Sequence, residues 1–396
     1  MTERLYYNDP ALLVFDAKIT DSGTVDDLHY TVLDSSAFYP TSGGQSFDTG
    51  TINGIDIVDV VETDDGDVWH ISRDPIGETG NSVHCEINRE RRNRNRQLHT
   101  AQHIISQAFI TLFDRATVSV HLGDEYGAVE LAHNEISDDQ LAQVESMAND
   151  VIGRNLPVEI MFVDSSKAKD IPLRKIPDRE GNIRVIKIGE FDWSACGGTH
   201  CLSTAEVGFI KLTGVEKMRG HALVKFLAGD LAREDYVRRF DITESLSRDL
   251  TCHVTDLPGK FEKLAAESKQ LRKQLSDAQR ELLPIRARNI AGHAEPVGAS
   301  KLVATAVDDM DPSVVSPLAT LVADEISGVA IFYASGRLVL ATGSKTNLHA
   351  GDLIKKLAAS FDLKGGGGQN MGQAGGASSD HLQLYKEAMV RLLNDA

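Results

Sequence analysis

The sequence contains two short pairs of residues that could bind one metal ion. Cys196 and His200 stand four apart in the stretch WSACGGTHC, and the two glycines between them let that loop bend so that thiolate and imidazole converge. His99 and His103 also stand four apart, in a segment of helical periodicity. On a helix that spacing puts both imidazoles on one face, about 40° apart. The Cys-His₃ set of soft and borderline ligands predicts a Zn²⁺ site.

Each pair taken alone has an ordinary explanation. HxxxH is frequent on amphipathic helices without a metal, and CGGTH could be a tight turn around a buried thiol. Both pairs in one predicted domain favour the metal site. Cys201 is not counted, because its side chain on an extended segment points away from that of His200. Four protein ligands are typical of structural zinc, whereas catalysis would need a fifth ligand position or one loosened ligand. The spacing leaves both possibilities open.

A glycine-rich segment, FYPTSGGQSFDTG (38–50), is the third chemical feature. Thr41 and Ser42 offer hydroxyls, Gln45 offers an amide, and the two glycines allow close approach of the backbone. The segment could be a simple turn between strands. Beside the zinc, it would instead form a polar wall of a small pocket.

The apolar patterns place these residues in an α+β protein of several domains. Short apolar runs cut by Gly, Asp, Asn and Pro predict a small N-terminal β-barrel, and the period then changes to that of a helix at 89–115. The expected division is a β-rich domain with the glycine-rich motif at 1–88, an α+β zinc-binding domain at 89–229, a helical or coiled-coil linker at 230–295 and a C-terminal α/β domain at 296–396.

Charge is distributed unevenly over the 396 residues, whose formal net charge is −17. Residues 1–88 hold 17 acidic and 3 basic side chains, and RERRNRNR (89–96) follows with five arginines. The net charge argues against non-specific nucleic-acid binding. The arginine run either contacts phosphates, for which Arg91 and Arg94 are the candidates, or is a solvated helix start that pairs with the acidic domain. The composition favours neither alternative.

Other classes of protein are disfavoured by what the sequence lacks. The four cysteines have irregular spacing and give no disulfide framework. No apolar window approaches the roughly 18 residues of a membrane helix, and the first residues lack the layout of a signal peptide. We therefore expect a cytoplasmic protein that does not contact a membrane.

The segment 230–290 carries a short heptad pattern and 296–396 a compact unit with a glycine-rich loop. The heptads could pair within the chain or form a homodimer seam. The run SGVAIFYASGRLVLATGS predicts a hairpin turning at Ser335-Gly336, and a helix is expected near 349–361. The following KGGGGQNMGQAGGASS lies between two amphipathic helices, which favours a packed loop over a flexible linker. The heptad positions are Phe261, Leu264, Ser268, Leu271, Leu275, Ala278 and Leu282.

Three motifs in this order, FYPTSGGQ, HTAQH and SACGGTH, resemble the editing module of alanyl-tRNA synthetases and of free-standing alanyl-tRNA editing proteins. The opening LYYNDPALLVFDAKI is similar to that family too. The tail GGGGQNMGQAGG resembles the C-terminal domain shared by these synthetases and DHH-type phosphoesterases. The resemblance covers nearly the whole chain and points to the long, free-standing form, without a counterpart of the aminoacylation domain.

The resemblance implies a zinc-dependent hydrolase that removes serine, with glycine as a second candidate, from mischarged tRNA(Ala). It implies that Thr41 and Gln45 lie near the aminoacyl group, where we expect them to read the serine hydroxyl. The C-terminal domain is expected to bind tRNA, and ATP binding is implied by family analogy alone. By the same resemblance, the zinc ligands are His99, His103, Cys196 and His200.

Two positions of the tail depart from the family pattern. The family often has a basic residue where this chain has Gln369, and commonly an alanine where it has Gly372. These departures bear on the phosphate contact expected of the tail and not on the hydrolysis expected at the zinc site.

Two alternative functions remain at the level of sequence. One is a zinc-dependent hydrolase of another aminoacyl-tRNA or of a small ester. The other is a non-catalytic module in which closed zinc holds the fold and the tail binds tRNA or a nucleotide. A phosphoesterase is disfavoured, because no aspartate-histidine cluster of the DHH kind is present.

Overall fold

The computed structural model has the mixed α+β architecture that the sequence predicts, and it describes residues 1–133, 135–178, 181–218 and 220–394. The chain divides into two units, Met1–Ser245 and Leu246–Ala396. Among the described helices, none combines the length and apolar character needed to cross a membrane.

The first unit begins with a closed six-stranded barrel, which confirms the predicted N-terminal β-barrel. The strands up to α1 are β1 (Glu3–Arg4), β2 (Val14–Val25), β3 (Leu28–Leu33), β4 (Ser35–Ser36), β5 (Gly50–Ile52), β6 (Ile55–Glu62), β7 (Val68–Ser72) and β8 (Ser82–Ile87). The barrel runs β2-β3-β7-β6-β5-β8, while β1 and β4 pair with each other in parallel. Buried and exposed positions alternate along the first half of β2, so Phe15, Ala17 and Ile19 fill the interior.

The helix α1 (Arg89–Phe113) follows the barrel directly. It begins at Asn88, whose side chain accepts a hydrogen bond from the backbone N–H of Arg91, and it ends at Asp114 in the left-handed conformation. Its apolar face enters the core of the predicted zinc domain. Its buried apolar residues are Leu98, Ala101, Ile104, Ile105, Ala108 and Phe109.

Two antiparallel sheets and one helix complete this α+β part. The elements are β9 (Thr117–Leu122), β10 (Gly127–Leu131), α2 (Asp138–Gly153), β11 (Val158–Asp164), β12 (Asn182–Ile188), β13 (Asp192–Ala195), β14 (Ile210–Lys217) and β15 (Ala222–Ala228). One sheet runs β14-β15-β10-β9 and the other β11-β12-β13. Ser137 and Gln140 form a capping box at the start of α2. The loop that leaves β13 carries the CGGTH motif.

Two long helices follow, α3 (Gly229–Asp249) and α4 (Leu257–Ala291). The large apolar side chains of the predicted heptad are exposed on α4, so the structure shows an uncovered apolar stripe there. The homodimer stays a prediction. The exposed heptad residues are Phe261, Leu264, Leu271, Leu275 and Leu282.

The second unit contains a six-stranded sheet with helices. Its elements are β16 (Glu295–Val297), β17 (Ser300–Ala306), α5 (Pro312–Ile326), β18 (Val329–Ala334), β19 (Arg337–Thr342), α6 (Ala350–Ala359), β20 (Lys364–Gly367), β21 (Met371–Gly375) and α7 (Leu382–Asn394). The order is β16-β17-β18-β19-β21-β20. The hairpin of β18 and β19 turns at Ser335 and Gly336, both at positive φ, as predicted.

The glycine-rich tail is a packed hairpin of β20 and β21 and not a linker. A Cβ on Gly367 would lie 2.2 Å from the carbonyl oxygen of Met371. One on Gly372 would lie 2.5 Å from Ile354 Cγ2, so this position has no room for the alanine common in the family. Carbonyls of this loop accept the first N–H groups of α6, since Ala350 donates to Gln369 and Gly351 to Gly368. The helix start is therefore already capped.

Candidate metal centre and pocket

Four nitrogen and sulfur ligands from two parts of the chain meet in the first unit. His99 and His103 lie on α1, and Cys196 and His200 lie in the loop after β13. Their candidate ligand atoms all lie within 4.8 Å of one another, and Cys196 Sγ is 3.3 Å from Nε2 of both His99 and His200. A tetrahedral zinc ion with bonds of about 2.0–2.3 Å separates its ligand atoms by about 3.3–3.6 Å. The cluster could therefore bind a metal ion.

Every imidazole of the cluster has a protein partner at its other ring nitrogen. Such a partner fixes the tautomer and the ring orientation, and it leaves Nε2 for the ion. The partners of Nδ1 are Gln45 Oε1 for His99 at 2.8 Å, Asp192 Oδ2 for His103 at 3.1 Å and Thr100 Oγ1 for His200 at 3.2 Å.

Asp192 is a fully buried carboxylate that serves His103. Burial on its own would raise the pKa of Asp192, but the hydrogen bond from His103 and the charge of Arg174 outweigh it, so the pKa lies below its usual value. Arg174 Nη2 lies 3.1 Å from Asp192 Oδ2, and Ser194 Oγ donates to the same oxygen at 3.0 Å. The carboxylate therefore stays ionised and holds the ring of His103.

The cluster's own electrostatics favour a thiolate at Cys196 and a neutral imidazole at His200. Burial would raise the pKa of Cys196, but the neighbouring His99 and His200 outweigh it, so the pKa lies well below the usual thiol value. Burial lowers the pKa of His200 well below its usual value. Thiolate and neutral imidazole are the protonation states that a divalent metal requires.

The ligand loop is held close to α1 by a glycine and an arginine. A Cβ on Gly198 would lie 2.1 Å from His99 Cε1, so no larger residue fits between loop and helix. Arg184 on β12 donates from Nη1 to the carbonyls of Cys196 and Gly198 at 2.8 and 2.9 Å. Its guanidinium also lies over the ring of Tyr7, 5.3 Å from the centroid.

We expect Gly198→Ala to weaken metal binding by about tenfold to a hundredfold, which is the usual effect of disturbing an outer-shell partner. The added methyl displaces His99 or the loop. Gly197→Ala is the matched control, because its Cβ would meet nothing nearer than Tyr7 Oη at 3.5 Å. Competition titration with a chromogenic chelator measures both affinities. Equal affinity of the two variants would contradict the close packing of loop and helix.

The two predicted pocket residues, Gln45 and Thr41, lie in different environments. Gln45 is completely buried; its Oε1 accepts from His99 Nδ1 at 2.8 Å and from Thr199 N at 3.1 Å, and its Nε2 donates to Thr199 Oγ1 at 2.8 Å. Gln45 therefore joins the barrel's glycine-rich loop to both halves of the cluster. Thr41 is exposed, and its hydroxyl oxygen accepts from Phe47 N at 3.2 Å.

The glycine-rich loop is anchored against β9. Gly44 has a φ of +84°, and a Cβ there would lie 2.7 Å from the carbonyl oxygen of Val120. Its own carbonyl accepts from Leu122 N at 2.9 Å. The close approach that the two glycines allow is thus an approach to a strand of the same unit.

A cleft of about 840 Å³ opens beside the cluster. His99, His103 and Cys196 line one part of it, and Arg174 and Lys175 line another. Residues of the glycine-rich loop contribute as well, although Thr41 and Gln45 are not among those lining it. No aspartate or glutamate of the described chain lines the cleft, so apart from the Cys196 thiolate its charged side chains are the cations Arg174 and Lys175.

The arginine run mostly makes contacts within the chain. Arg92 forms a fully buried ion pair with Asp48 at 2.6 Å, which confirms the pairing with the acidic domain for this residue. Arg96 donates to the carbonyl of the ligand His200 at 2.8 Å. The two candidates for phosphate contact also have partners: Arg91 pairs with Asp124 at 2.8 Å and Arg94 with Glu234 at 3.4 Å.

Sequence reasoning missed the residues that hold the ligands in place. Asp192 and Arg184 are both at most 3% exposed, and each is a charged residue next to or within an apolar strand. A charge in such a strand is almost never buried without a partner, so these positions carried a usable signal.

The comparisons with known proteins agree with this geometry. Residues 183–222 match the family model described as the threonyl and alanyl tRNA synthetase second additional domain. An alanine–tRNA ligase of Methanopyrus kandleri is 29% identical over 100% of this chain and 44% of its own length, and one of Methanoregula boonei is 31% identical over 97% and 42%. The alanyl-tRNA editing protein AlaX-L of Pyrococcus horikoshii is 29% identical over 99% of this chain and 98% of its own length. The chain is homologous to the editing and C-terminal region of alanyl-tRNA synthetase.

This homologue of the synthetase region spans less than half of the ligases it matches, but nearly all of the editing protein. The matched segment of the family model contains Cys196 and His200 and the strands β12 to β14 around them. Half of the metal cluster thus lies in the part that the family model describes, and the histidines of α1 are supplied from outside it.

Proposed function

We propose that this chain deacylates mischarged tRNA(Ala) in trans, chiefly seryl-tRNA(Ala), with glycyl-tRNA(Ala) as a second substrate. The observation that carries the proposal is the Cys-His₃ cluster at the edge of a cleft, in a chain similar along its length to an alanyl-tRNA editing protein. Ester hydrolysis at a metal site needs this combination of a polarising centre and room for the acyl group.

An enzyme that attaches alanine to tRNA needs a second, hydrolytic site, because serine is only slightly larger than alanine. A pocket shaped for alanine cannot strongly reject an isostere with one added hydroxyl, and such discrimination reaches only about 10². A site that hydrogen-bonds the hydroxyl can reject the analogue that lacks it by about 10⁴–10⁵. Selective hydrolysis at such a site removes serine and spares alanine.

The chain's own residues orient the reacting groups. Gln45, Asp192 and Thr100 hold the three imidazoles so that Nε2 faces the cluster. Zinc bound there would supply Lewis acidity toward the ester carbonyl or a bound water of lowered pKa. Within the first unit, the cysteines outside the cluster are poor nucleophiles: Cys85 and Cys201 are buried, and burial raises the pKa of each to about 12.

Thr41 and Gln45 are assigned different roles. Gln45 acts by positioning His99 and Thr199, because its carbonyl oxygen is already used by these two residues. Thr41 is proposed to lie near the aminoacyl group, in line with its place in the FYPTSGGQ motif. It is followed by Ser42, which does line the cleft.

The proposed tRNA contact includes Lys175, an exposed cation at the cleft. We expect Lys175→Gln to raise KM for charged tRNA severalfold and to reduce the slope of log KM against log salt by about 0.7–0.9, because one phosphate contact is lost. Lys169→Gln is the control, since Lys169 is exposed in the same segment but does not line the cleft. Steady-state kinetics at several salt concentrations measure the effect. Identical slopes for both variants would remove Lys175 from the tRNA path.

The experiment that tests the proposed function is a deacylation panel. Seryl-, glycyl- and alanyl-tRNA(Ala) and threonyl-tRNA are incubated with the full chain, with and without a chelator. Hydrolysis of the seryl ester that the chelator abolishes and zinc restores supports the proposal. Preferred hydrolysis of threonyl-tRNA would point to another editing substrate, and absence of any hydrolysis would leave a zinc-stabilised binding module, which the closed set of four ligands also allows.

A further inference from the structure

One face of α1 carries four polar side chains, of which the metal cluster uses only two. His99, Gln102, His103 and Ser106 follow the spacing i, i+3, i+4 and i+7, which places them on one side of the helix. Gln102 is 5% exposed and Ser106 is completely buried. Polar residues on a buried helix face cost free energy unless they are satisfied, so this pair needs its own explanation.

Gln102 and Ser106 form a short hydrogen-bonded chain with a residue on β9. Gln102 Nε2 donates to Ser106 Oγ at 2.8 Å, and Thr117 Oγ1 donates to the same oxygen at 2.7 Å. In this arrangement the NH₂ group of Gln102 lies toward Ser106. Among the described residues, none donates a hydrogen bond to Gln102 Oε1.

The chain ends in the cleft. Gln102 and Thr117 both line it, beside His99 and His103, whereas Ser106 lies behind them. Gln102 Oε1 is therefore an acceptor open to the cleft next to the metal cluster. A ligand that fills the cleft excludes water from this oxygen, and leaving it there without a donor costs about 1–3 kcal/mol, so a ligand that brings a donor is favoured over one that does not.

The chemistry of this acceptor suits a neutral donor. An ammonium group is bound best by a carboxylate, and none lines the cleft among the described residues. A carboxamide oxygen, by contrast, matches an alcohol hydroxyl, and here the NH₂ group of the same amide is held by Ser106.

We propose that Gln102, oriented by Ser106 and Thr117, accepts a hydrogen bond from the side-chain hydroxyl of an esterified serine and so determines the specificity of the reaction. This inference rests on the proposed function, and it assigns recognition of the serine hydroxyl to a residue that the sequence motifs did not single out. An alanyl ester leaves Gln102 unpaired in the cleft, which disfavours its productive binding.

The test compares kcat/KM on seryl- and alanyl-tRNA(Ala) for the full chain and for variants of nearly unchanged shape. The variants are Thr117→Val, Ser106→Ala and Gln102→Met. Thr41→Val makes the same change in the glycine-rich loop and tests the competing assignment, and Thr111→Val is the matched control, because Thr111 is exposed on α1 and does not line the cleft. We expect Gln102→Met to lower kcat/KM on the seryl ester about tenfold or more and to leave that on the alanyl ester unchanged within about twofold. Thr117→Val and Ser106→Ala are expected to lower the seryl-to-alanyl ratio less, and metal content should stay at the wild-type value in all three.

The outcomes separate this inference from the proposed function. An inactive wild type on the seryl ester would refute the function, and the inference would fall with it. An active wild type whose selectivity survives in all three variants would overturn the inference alone. So would an equal loss on both esters, or a loss of metal, because the residues would then act only through His99 and His103. A drop in selectivity confined to Thr41→Val would place recognition of the serine hydroxyl in the glycine-rich loop.

Discussion

Replacing Cys196 by serine is expected to lower metal affinity by more than about a hundredfold, beyond the upper end of what an outer-shell partner contributes, and to remove the hydrolytic activity with it. The thiolate is the one soft ligand of the cluster, and its Sγ lies 3.3 Å from Nε2 of both His99 and His200. A serine hydroxyl is not ionised at neutral pH and cannot replace the charge that the thiolate supplies. Metal content after dialysis and hydrolysis of seryl-tRNA(Ala) are the two readouts.

Cys201→Ser is the matched control for this prediction. Cys201 is 2% exposed and directly follows the ligand His200, but it is not part of the cluster. The control therefore makes the same atomic change one residue away from a ligand, and it should keep its metal and its activity. If Cys196→Ser kept wild-type metal content, the assignment of the ligands would be wrong.

Arg92→Met is expected to lower the free energy of unfolding by about 3–5 kcal/mol, the cost of breaking a buried ion pair from one side. Arg92 and Asp48 both have no exposed surface, and Nη2 of the arginine lies 2.6 Å from the carboxylate. The same guanidinium donates to the carbonyls of Ala37 and Pro10, so it ties the first turn of α1 to the barrel. Removing it leaves the buried charge of Asp48 unpaired.

Urea unfolding of the full chain, followed by a probe of the first unit, measures this effect. Arg89→Met is the control, because Arg89 is exposed at the same end of α1. A second comparison uses Arg92→Met together with Asp48→Leu, which removes both charges and should recover part of the loss. Similar unfolding curves for Arg92→Met and Arg89→Met would contradict a structural role for the pair.

The cluster of candidate metal ligands could be predicted because the geometry of each pair is local. His99 and His103 are adjacent on a helix face by spacing alone, and two glycines make the turn between Cys196 and His200. That the two pairs meet is a tertiary contact, which the presence of both pairs in one predicted domain favoured and the resemblance to a family implied. The i, i+3, i+4, i+7 polar stripe through Gln102 is equally visible in the sequence, but its spacing does not show that this face of the helix is buried.

The role of Gln45 could not be predicted in the same way. Its partners His99 and Thr199 lie 54 and 154 residues away in sequence, and no local pattern encodes such contacts. The arginine run illustrates the same point. Its composition allowed phosphate contacts, but Arg92 is buried against Asp48 and Arg96 holds the backbone of His200. Charge composition does not show which charges are exposed.

The fold was predictable where the pattern is periodic. The barrel strands, α1 and the hairpin at Ser335-Gly336 follow from alternation, helical spacing and turn residues. The exposed apolar stripe on α4 could not be interpreted in the same way, because a heptad pattern predicts an apolar seam but does not identify the helix that packs against it.

X-ray absorption at the zinc edge of the purified full chain tests the central claim most directly. With the ligands His99, His103, Cys196 and His200, the protein should hold one zinc ion per chain, with three nitrogen ligands at about 2.0–2.1 Å and one sulfur at about 2.3 Å. A spectrum without a sulfur ligand, or a chain that binds no divalent metal, would contradict the account.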